Sequence, residues 1–325
     1  MTGKERFIKA LRREPFSGHV PHFELVFFLT MEVLGKVHPS HRSYSQWNQM
    51  SAVEKRLHID DMAGIYIDIA KKYKHSAIFI HPNPGRPDDT LRLLEHIREL
   101  SGDEYFIMMH GDVTPSIPDG EHMMEFSAMI YEEPEKIKAA NKQSIARMTA
   151  FAEMLDKRGH LLDGFALCSD YCFNVNPFFS PAIFADLVAP YLAEIIRVYR
   201  QMGYYSIKHT DGNIMPILDQ LVNCEPDALH SLDPQGDVDL GEVMRLVGDK
   251  VTLIGNVNCG LMQNGTDEEC AADIRRALRD GMAGGPGYIF STSNCVYTGM
   301  PLARYEMMYD IWQREGIIKA CAGGQ

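Results

Sequence analysis

Eight short apolar runs, each followed by a stretch with helical periodicity, constrain this chain more than any other feature. The runs are Val20–Phe28, Ser76–His81, Glu104–His110, Asp163–Cys168, Tyr204–Lys208, Asp227–Ser231, Lys250–Asn256 and Gly287–Thr292. A run that is apolar almost throughout reads as a strand buried on both faces, and strands that alternate with helices read as parallel βαβ units. Eight such units predict an α/β fold: one closed (β/α)8 TIM barrel with an extra N-terminal helix, spanning residues 1–325 as a single domain. No sequence repeat of 20–50 residues offers a solenoid instead.

The helix signals fit this frame. Thr2-x-x-Glu5 and Thr266-x-x-Glu269 are capping-box patterns, and Ser180-Pro181 combines an N-cap with a first-turn proline. Helices are expected from the N-terminus to Pro15, over Asp61 to Tyr73, Asp89 to Leu100, 121–131, 133–158, 180–202 (kinked at Pro190), 239–247, 266–280 and 302–314. Residues 29–60 read as irregular to helical.

Composition removes several classes of function. A net charge of −12 without a long Lys/Arg run argues against nucleic acid or an anionic membrane as partner. No apolar run approaches the length of a membrane span, and the charged opening Met1-Thr-Gly-Lys-Glu-Arg6 is not a signal peptide. Seven scattered cysteines (168, 172, 224, 259, 270, 295 and 321) without paired zinc-ribbon spacing predict a reduced, cytoplasmic protein. No GxGxxG follows a strand and no GxxxxGK[ST] occurs, while Gly284-Gly-Pro-Gly287 precedes a strand and reads as a turn.

In a barrel the carboxyl ends of the strands converge on one mouth. They would gather Glu24, His81, His110, Asp112, Asp170, Tyr171, His209, Asp211, Asp233, Asn256, Asn294 and Cys295. Most of these also have plain readings as turn, cap or filler residues. His209 and Asp211 stand apart, because i, i+2 spacing at a strand end points both side chains the same way. Both residue types bind zinc, and a catalytic zinc needs three protein ligands and an open position. Cys295 or Glu24 is the candidate third ligand.

His209-Thr-Asp-Gly-Asn213, Asp227-Ala-Leu-His230, Asp249-Lys-Val-Thr-Leu-Ile-Gly-Asn256 and Gly287-Tyr-Ile-Phe-Ser-Thr-Ser-Asn294 resemble the uroporphyrinogen decarboxylase superfamily. Glu5-Arg-Phe-Ile-Lys-Ala-Leu-Arg12, Val20-Pro21 and Phe179-Ser-Pro181 extend the resemblance over the chain. It implies a (β/α)8 barrel with its site at the carboxyl-end cleft. True decarboxylases of porphyrin biosynthesis carry an Arg-rich stretch after the first strand that clamps a polycarboxylate tetrapyrrole. Here Phe23–Glu32 has no Arg, and Glu24 and Glu32 carry the wrong sign. Asn294 stands where the decarboxylases place a histidine.

The other branch, the corrinoid-dependent methyltransferases, includes members that hold zinc with His-x-Cys and a later Cys. His209 matches the His, Asp211 replaces the first Cys, and Cys295 lies beside the last. The resemblance therefore implies zinc on His209, Asp211 and Cys295. It also implies that Glu24, Asp170, Tyr171, Asn256 and Asn294 bind substrate, with Asn176–Phe179 a candidate to stack on a ring. A carboxylate in place of a thiolate leaves zinc more Lewis-acidic, which suits an ether or amine better than a thiol. The expected function is methyl transfer from a small methylated donor, a methoxylated aromatic being the candidate. The acceptor is the cobalt of a corrinoid on a separate protein, since no DxHxxG segment is present here. The alternatives are a decarboxylase of porphyrin biosynthesis and a non-catalytic binding barrel. Monomer and homodimer both remain open.

Overall fold

The computed structural model describes residues 1–318; Cys321, counted above, lies outside them. Seven parallel strands form one sheet in sequence order: Ala77–Ile80, Phe106–His110, Gly164–Leu167, Tyr205–Thr210, Ala228–Ser231, Thr252–Ile254 and Tyr288–Ile289. Six of them fall inside an apolar run read above, and Tyr205–Thr210 runs two residues past the end of Tyr204–Lys208, taking in His209 and Thr210. Nearly every strand residue is buried, as expected of a parallel sheet covered by helices.

The first run, Val20–Phe28, behaves differently. It forms only the two-residue strand Val26–Phe27, parallel to Cys295–Val296, and an isolated bridge between His22 and Phe290. Pro21 has no N–H to give a regular ladder. The segment nonetheless touches both edges of the sheet. The Ser76 amide donates to the His22 carbonyl at 2.7 Å, and the Phe290 amide donates to the Pro21 carbonyl at 2.9 Å. One short segment can reach both edges only if the sheet curls until its edges approach.

Helix Gly3–Leu11 begins with the expected capping box, Thr2 with Glu5. It buries Phe7, Ala10 and Leu11, and the Phe7 ring packs on Phe106 (4.8 Å between centroids) and Phe23 (5.6 Å). Thr252 Oγ1 donates to the Ala10 carbonyl at 2.7 Å. Phe106 and Thr252 each open their strand, so this helix plugs the amino end of the sheet and leaves the carboxyl end free.

Two helix assignments differ from expectation. The helix expected from Asp61 runs from Ala52 to Lys72, because Ser51 and Glu54 form a capping box inside the stretch read as irregular. Asn258 caps an additional short helix, Cys259–Asn264. The helix after Ser180 breaks at Val188 into Pro181–Leu187 and Ala189–Gln201, where Pro190 predicts a kink. Among the described residues no helix is long and apolar enough to cross a membrane.

Candidate active site

Inward-facing side chains repeat every second residue along each strand. Phe79, Met108, Ala166 and Ile207 share one buried cluster inside the curl. Two residues further along the same four strands stand His81, His110, Cys168 and His209. The polar layer at the carboxyl end is thus the next step of the alternation that builds the apolar core beneath it.

The strand ends are laced by a buried ion pair. Lys208 is 0% exposed, and its Nζ donates to Asp112 Oδ2 at 2.8 Å, to the Ser169 carbonyl at 2.8 Å and to the Leu167 carbonyl at 3.0 Å. It also sits 4.0 Å from the centre of the Tyr171 ring. Burial alone would push the Asp112 carboxyl up, but the Lys208 ammonium and the Thr114 hydrogen bonds outweigh it and hold the group at about 2. Three strands are tied at their carboxyl ends, and Ser169, next to Asp170, is among the groups held.

Above this pair lies the candidate centre. Asp170, His209 and Asp211 each place a ligand-capable atom within 4.8 Å of the other two. His209 Nε2 stands 3.9 Å from Asp170 Oδ1 and 3.8 Å from Asp211 Oδ1. These separations are too long for hydrogen bonds. They approach the ~3.4 Å ligand-to-ligand edge of a tetrahedral ion with bonds of about 2.0–2.2 Å. Asp170 Oδ1 also accepts from the Asp211 amide at 3.1 Å, and Asn294 Nδ2 donates to Asp211 Oδ2. Asp211 Oδ1 is buried without a hydrogen-bond partner. Burial first, and then the Asp170 carboxylate, raises the Asp211 carboxyl to about 7. Burial lowers the His209 imidazole to about 4. Both shifts disfavour the charged form, and burial is the larger cause of each. The His209 Nδ1 lies 2.7 Å from His230 Nδ1 on the neighbouring strand.

The strand end that carries these groups has little freedom. Gly212 adopts φ +77°, and a Cβ there would stand 2.5 Å from the Phe173 carbonyl oxygen and 2.7 Å from that of Cys172. The Asn213 amide donates to the Phe173 carbonyl at 2.9 Å. The loop after Leu167, which carries Asp170, is thereby seated directly on the loop after Thr210.

The other residues singled out in the sequence take different places. Cys295 is outside the three-residue group, and burial pushes its thiol up to about 12. Glu24 is 4% exposed, and its Oε2 accepts from the Thr292 amide at 3.2 Å and from the hydroxyls of Thr292 and Ser291. Burial raises its carboxyl to about 8. Tyr171 is fully buried, with its hydroxyl 2.6 Å from Thr114 Oγ1. Asn256 is also fully buried: its Nδ2 donates to the Leu232 carbonyl at 2.6 Å, and its Oδ1 accepts from Arg276 at 3.0 Å. Phe178 of the Asn176–Phe179 loop stacks on Phe126 at 6.2 Å. Sequence reasoning missed Lys208 and His230. Each lay inside an apolar run, and its neighbours are set by the register between strands.

Comparison with known proteins adds a family and a fold. Residues 117–314, more than half of the chain, match the family model described as Uroporphyrinogen decarboxylase (URO-D). A solved methyltransferase from Methanosarcina mazei superposes with a TM-score of 0.73 at 16% identity, covering 97% of this chain and 99% of that one. A D-psicose 3-epimerase (TM-score 0.43, 10% identity, 92% and 91% covered) shows far weaker likeness. So does a β-mannanase from the blue mussel Mytilus edulis (0.47, 11%, 91% and 92%). No curated protein matches the chain.

Proposed function

The chain belongs to the uroporphyrinogen decarboxylase family, and from that premise we propose that it is a corrinoid-dependent methyltransferase. It would take a methyl group from a small methylated donor, a methoxylated aromatic being the candidate, and deliver it to the cobalt of a corrinoid on a separate cytoplasmic protein. On this reading residues 1–325 form one (β/α)8 domain. Val20–Phe28 is its eighth, irregular stave, and helix Gly3–Leu11 closes the bottom.

The observation that carries the proposal is the sign of the charge at the mouth. Lys208 is the one Lys or Arg buried among the described residues, and Asp112 neutralises it. Asp170 and Asp211 stand together at the strand ends with His209, whose imidazole burial holds neutral. A tetrapyrrole bearing many carboxylates would meet carboxylates there instead of guanidinium groups. The structure of the Methanosarcina mazei methyltransferase, similar over nearly the full length of both chains, supports the same branch.

The centre fits a divalent ion such as zinc. One imidazole and two carboxylates are the right donors, and Asp211 Oδ1 is a buried oxygen without a partner. Asp170, His209 and Asp211 would hold the ion, which would serve as a Lewis acid toward the leaving oxygen. Asn294 orients Asp211, and the Asp211 amide orients Asp170. The alternative to an ion is a proton on Asp211: burial and the Asp170 carboxylate lift its carboxyl to about 7, and it would donate that proton to the leaving oxygen. The methyl–oxygen bond breaks, the oxygen keeps the electron pair and takes a proton from Asp211 or from solvent, and the partner's Co(I) supplies the electron pair of the new cobalt–methyl bond, becoming Co(III). Phe178 and the exposed Phe173 stand on the loop beside Asp170, placed to meet an aromatic ring.

The test is to mix the zinc-supplemented protein with free cob(I)alamin and a panel of methoxybenzoates, methoxyphenols, methanol and methylamines, following the visible spectrum of cobalt. Formation of methylcobalamin with at least one donor, abolished by His209→Ala, is expected. No transfer from any donor, together with carbon dioxide release from uroporphyrinogen, would establish the decarboxylase reading instead.

A further inference from the structure

His209 and His230 face each other in register on adjacent strands, with ring centroids 4.9 Å apart. Their Nδ1 atoms are 2.7 Å apart, so one donates and the other accepts. The direction follows from the far side of His230. Its Nε2 lies 3.2 Å from the Thr292 carbonyl, which can only accept. His230 Nε2 therefore carries hydrogen. His230 is 2% exposed and, among the described residues, has no carboxylate within hydrogen-bond reach, so it is neutral and its Nδ1 is a bare acceptor. The proton between the rings belongs to His209 Nδ1, which leaves His209 Nε2 as a lone pair.

That lone pair is the atom placed between Asp170 and Asp211, at 3.9 and 3.8 Å. Without hydrogen, Nε2 can donate to neither carboxylate, which accounts for spacings longer than hydrogen bonds. Thr292 is itself fixed, because its amide and hydroxyl both donate to Glu24 Oε2. An unbroken chain thus runs from Glu24 on the first strand segment, through Thr292, to His230 and His209.

We propose that His230, backed by Thr292 and Glu24, is a positioning residue that sets the His209 tautomer and so aims a bare Nε2 at the metal position. This rests on the reading of Asp170, His209 and Asp211 as a metal-holding centre. A ligand imidazole whose second nitrogen donates to a fixed acceptor is held in orientation, and loss of such a partner lowers metal affinity by roughly 10–100-fold.

The experiment has two arms. Long-range proton–nitrogen correlation on 15N-histidine-labelled, metal-free wild type reads the tautomer directly. A single neutral His209 tautomer protonated at Nδ1 is expected, and protonation at Nε2 overturns the proposal. Zinc affinity, measured by competition with a chromophoric chelator, compares His230→Phe, which keeps a ring but has no acceptor, with His230→Gln, whose carbonyl oxygen can replace Nδ1. A fall of about 10–100-fold in His230→Phe, with His230→Gln within about threefold of wild type, is expected. Equal affinity in wild type and His230→Phe overturns it. Should His230→Phe fail to fold, the wild-type spectrum still decides. A wild type that binds no zinc refutes the metal reading, and the His209 tautomer then decides the role of His230 alone.

Discussion

Asn294→Ala tests whether Asp211 acts as the oriented ligand proposed for it. Its amide is the donor that fixes Asp211 Oδ2 while Oδ1 faces His209. Removing it leaves the ligand in place and its orientation loose, so a loss of about 10–100-fold in zinc affinity is expected, read by the same chelator competition. A change below threefold would show that Asp211 is oriented by other contacts. Glu24 carries a second prediction at this scale. Its carboxyl rises from 4.5 in the ordinary state to about 8 when buried. Between those values the native state holds a proton that the unfolded chain has lost, so stability falls as pH rises from about 4.5 to about 8, by at most about 1.4 kcal/mol per unit. Glu24→Gln should flatten that slope in urea denaturation at a series of pH values; an unchanged slope would place the effect elsewhere. His209 and Asp211 were legible in the sequence because i, i+2 spacing is local. His230 was not, because its partner is chosen by strand register. Asp170 was visible as a polar strand end, but its approach to His209 depends on a loop seated against Gly212.

At the scale of elements, the Lys208–Asp112 pair ties strand Tyr205–Thr210 to the loop after Phe106–His110, and the Lys208 ammonium also holds the carbonyls of Leu167 and Ser169 at the end of Gly164–Leu167. Both side chains are essentially without solvent. Breaking such a pair leaves an uncompensated buried charge, so Asp112→Ala is expected to destabilise by about 3–5 kcal/mol in chemical denaturation. The double change Asp112→Ala with Lys208→Met should recover part of the loss, because the orphaned ammonium is gone. Equal losses in the single and double variants would contradict this account. Most helices and strands were legible from periodicity and caps. One exception, over 52–60, held its own signal, Ser51-x-x-Glu54, in a stretch whose apolar periodicity is weak; most of its residues face solvent.

For the whole molecule, alternation was the strongest signal, and seven of the eight runs became regular strands in sequence order. The eighth run kept its burial and lost its ladder: Val20, Phe23, Leu25 and Phe27 are all buried, but Pro21 interrupts pairing. Apolar pattern reports burial, and it cannot report which backbone groups find partners. Helix Gly3–Leu11 plugs the opposite end, and Phe7 at 0% exposure is its anchor against Phe23 and Phe106. Phe7→Ala should cost about 3–5 kcal/mol with the metal centre intact; loss of zinc in a folded Phe7→Ala protein would show that the two ends are coupled.

Metal content tests the central claim most directly. Elemental analysis of the protein purified with zinc, for wild type and for Asp170→Ala, His209→Ala, Asp211→Ala and Cys295→Ser, should find about one ion per chain in wild type and in Cys295→Ser, and little in the other three. Wild type without metal, or zinc retained in the three variants and lost with Cys295, would contradict the centre described here.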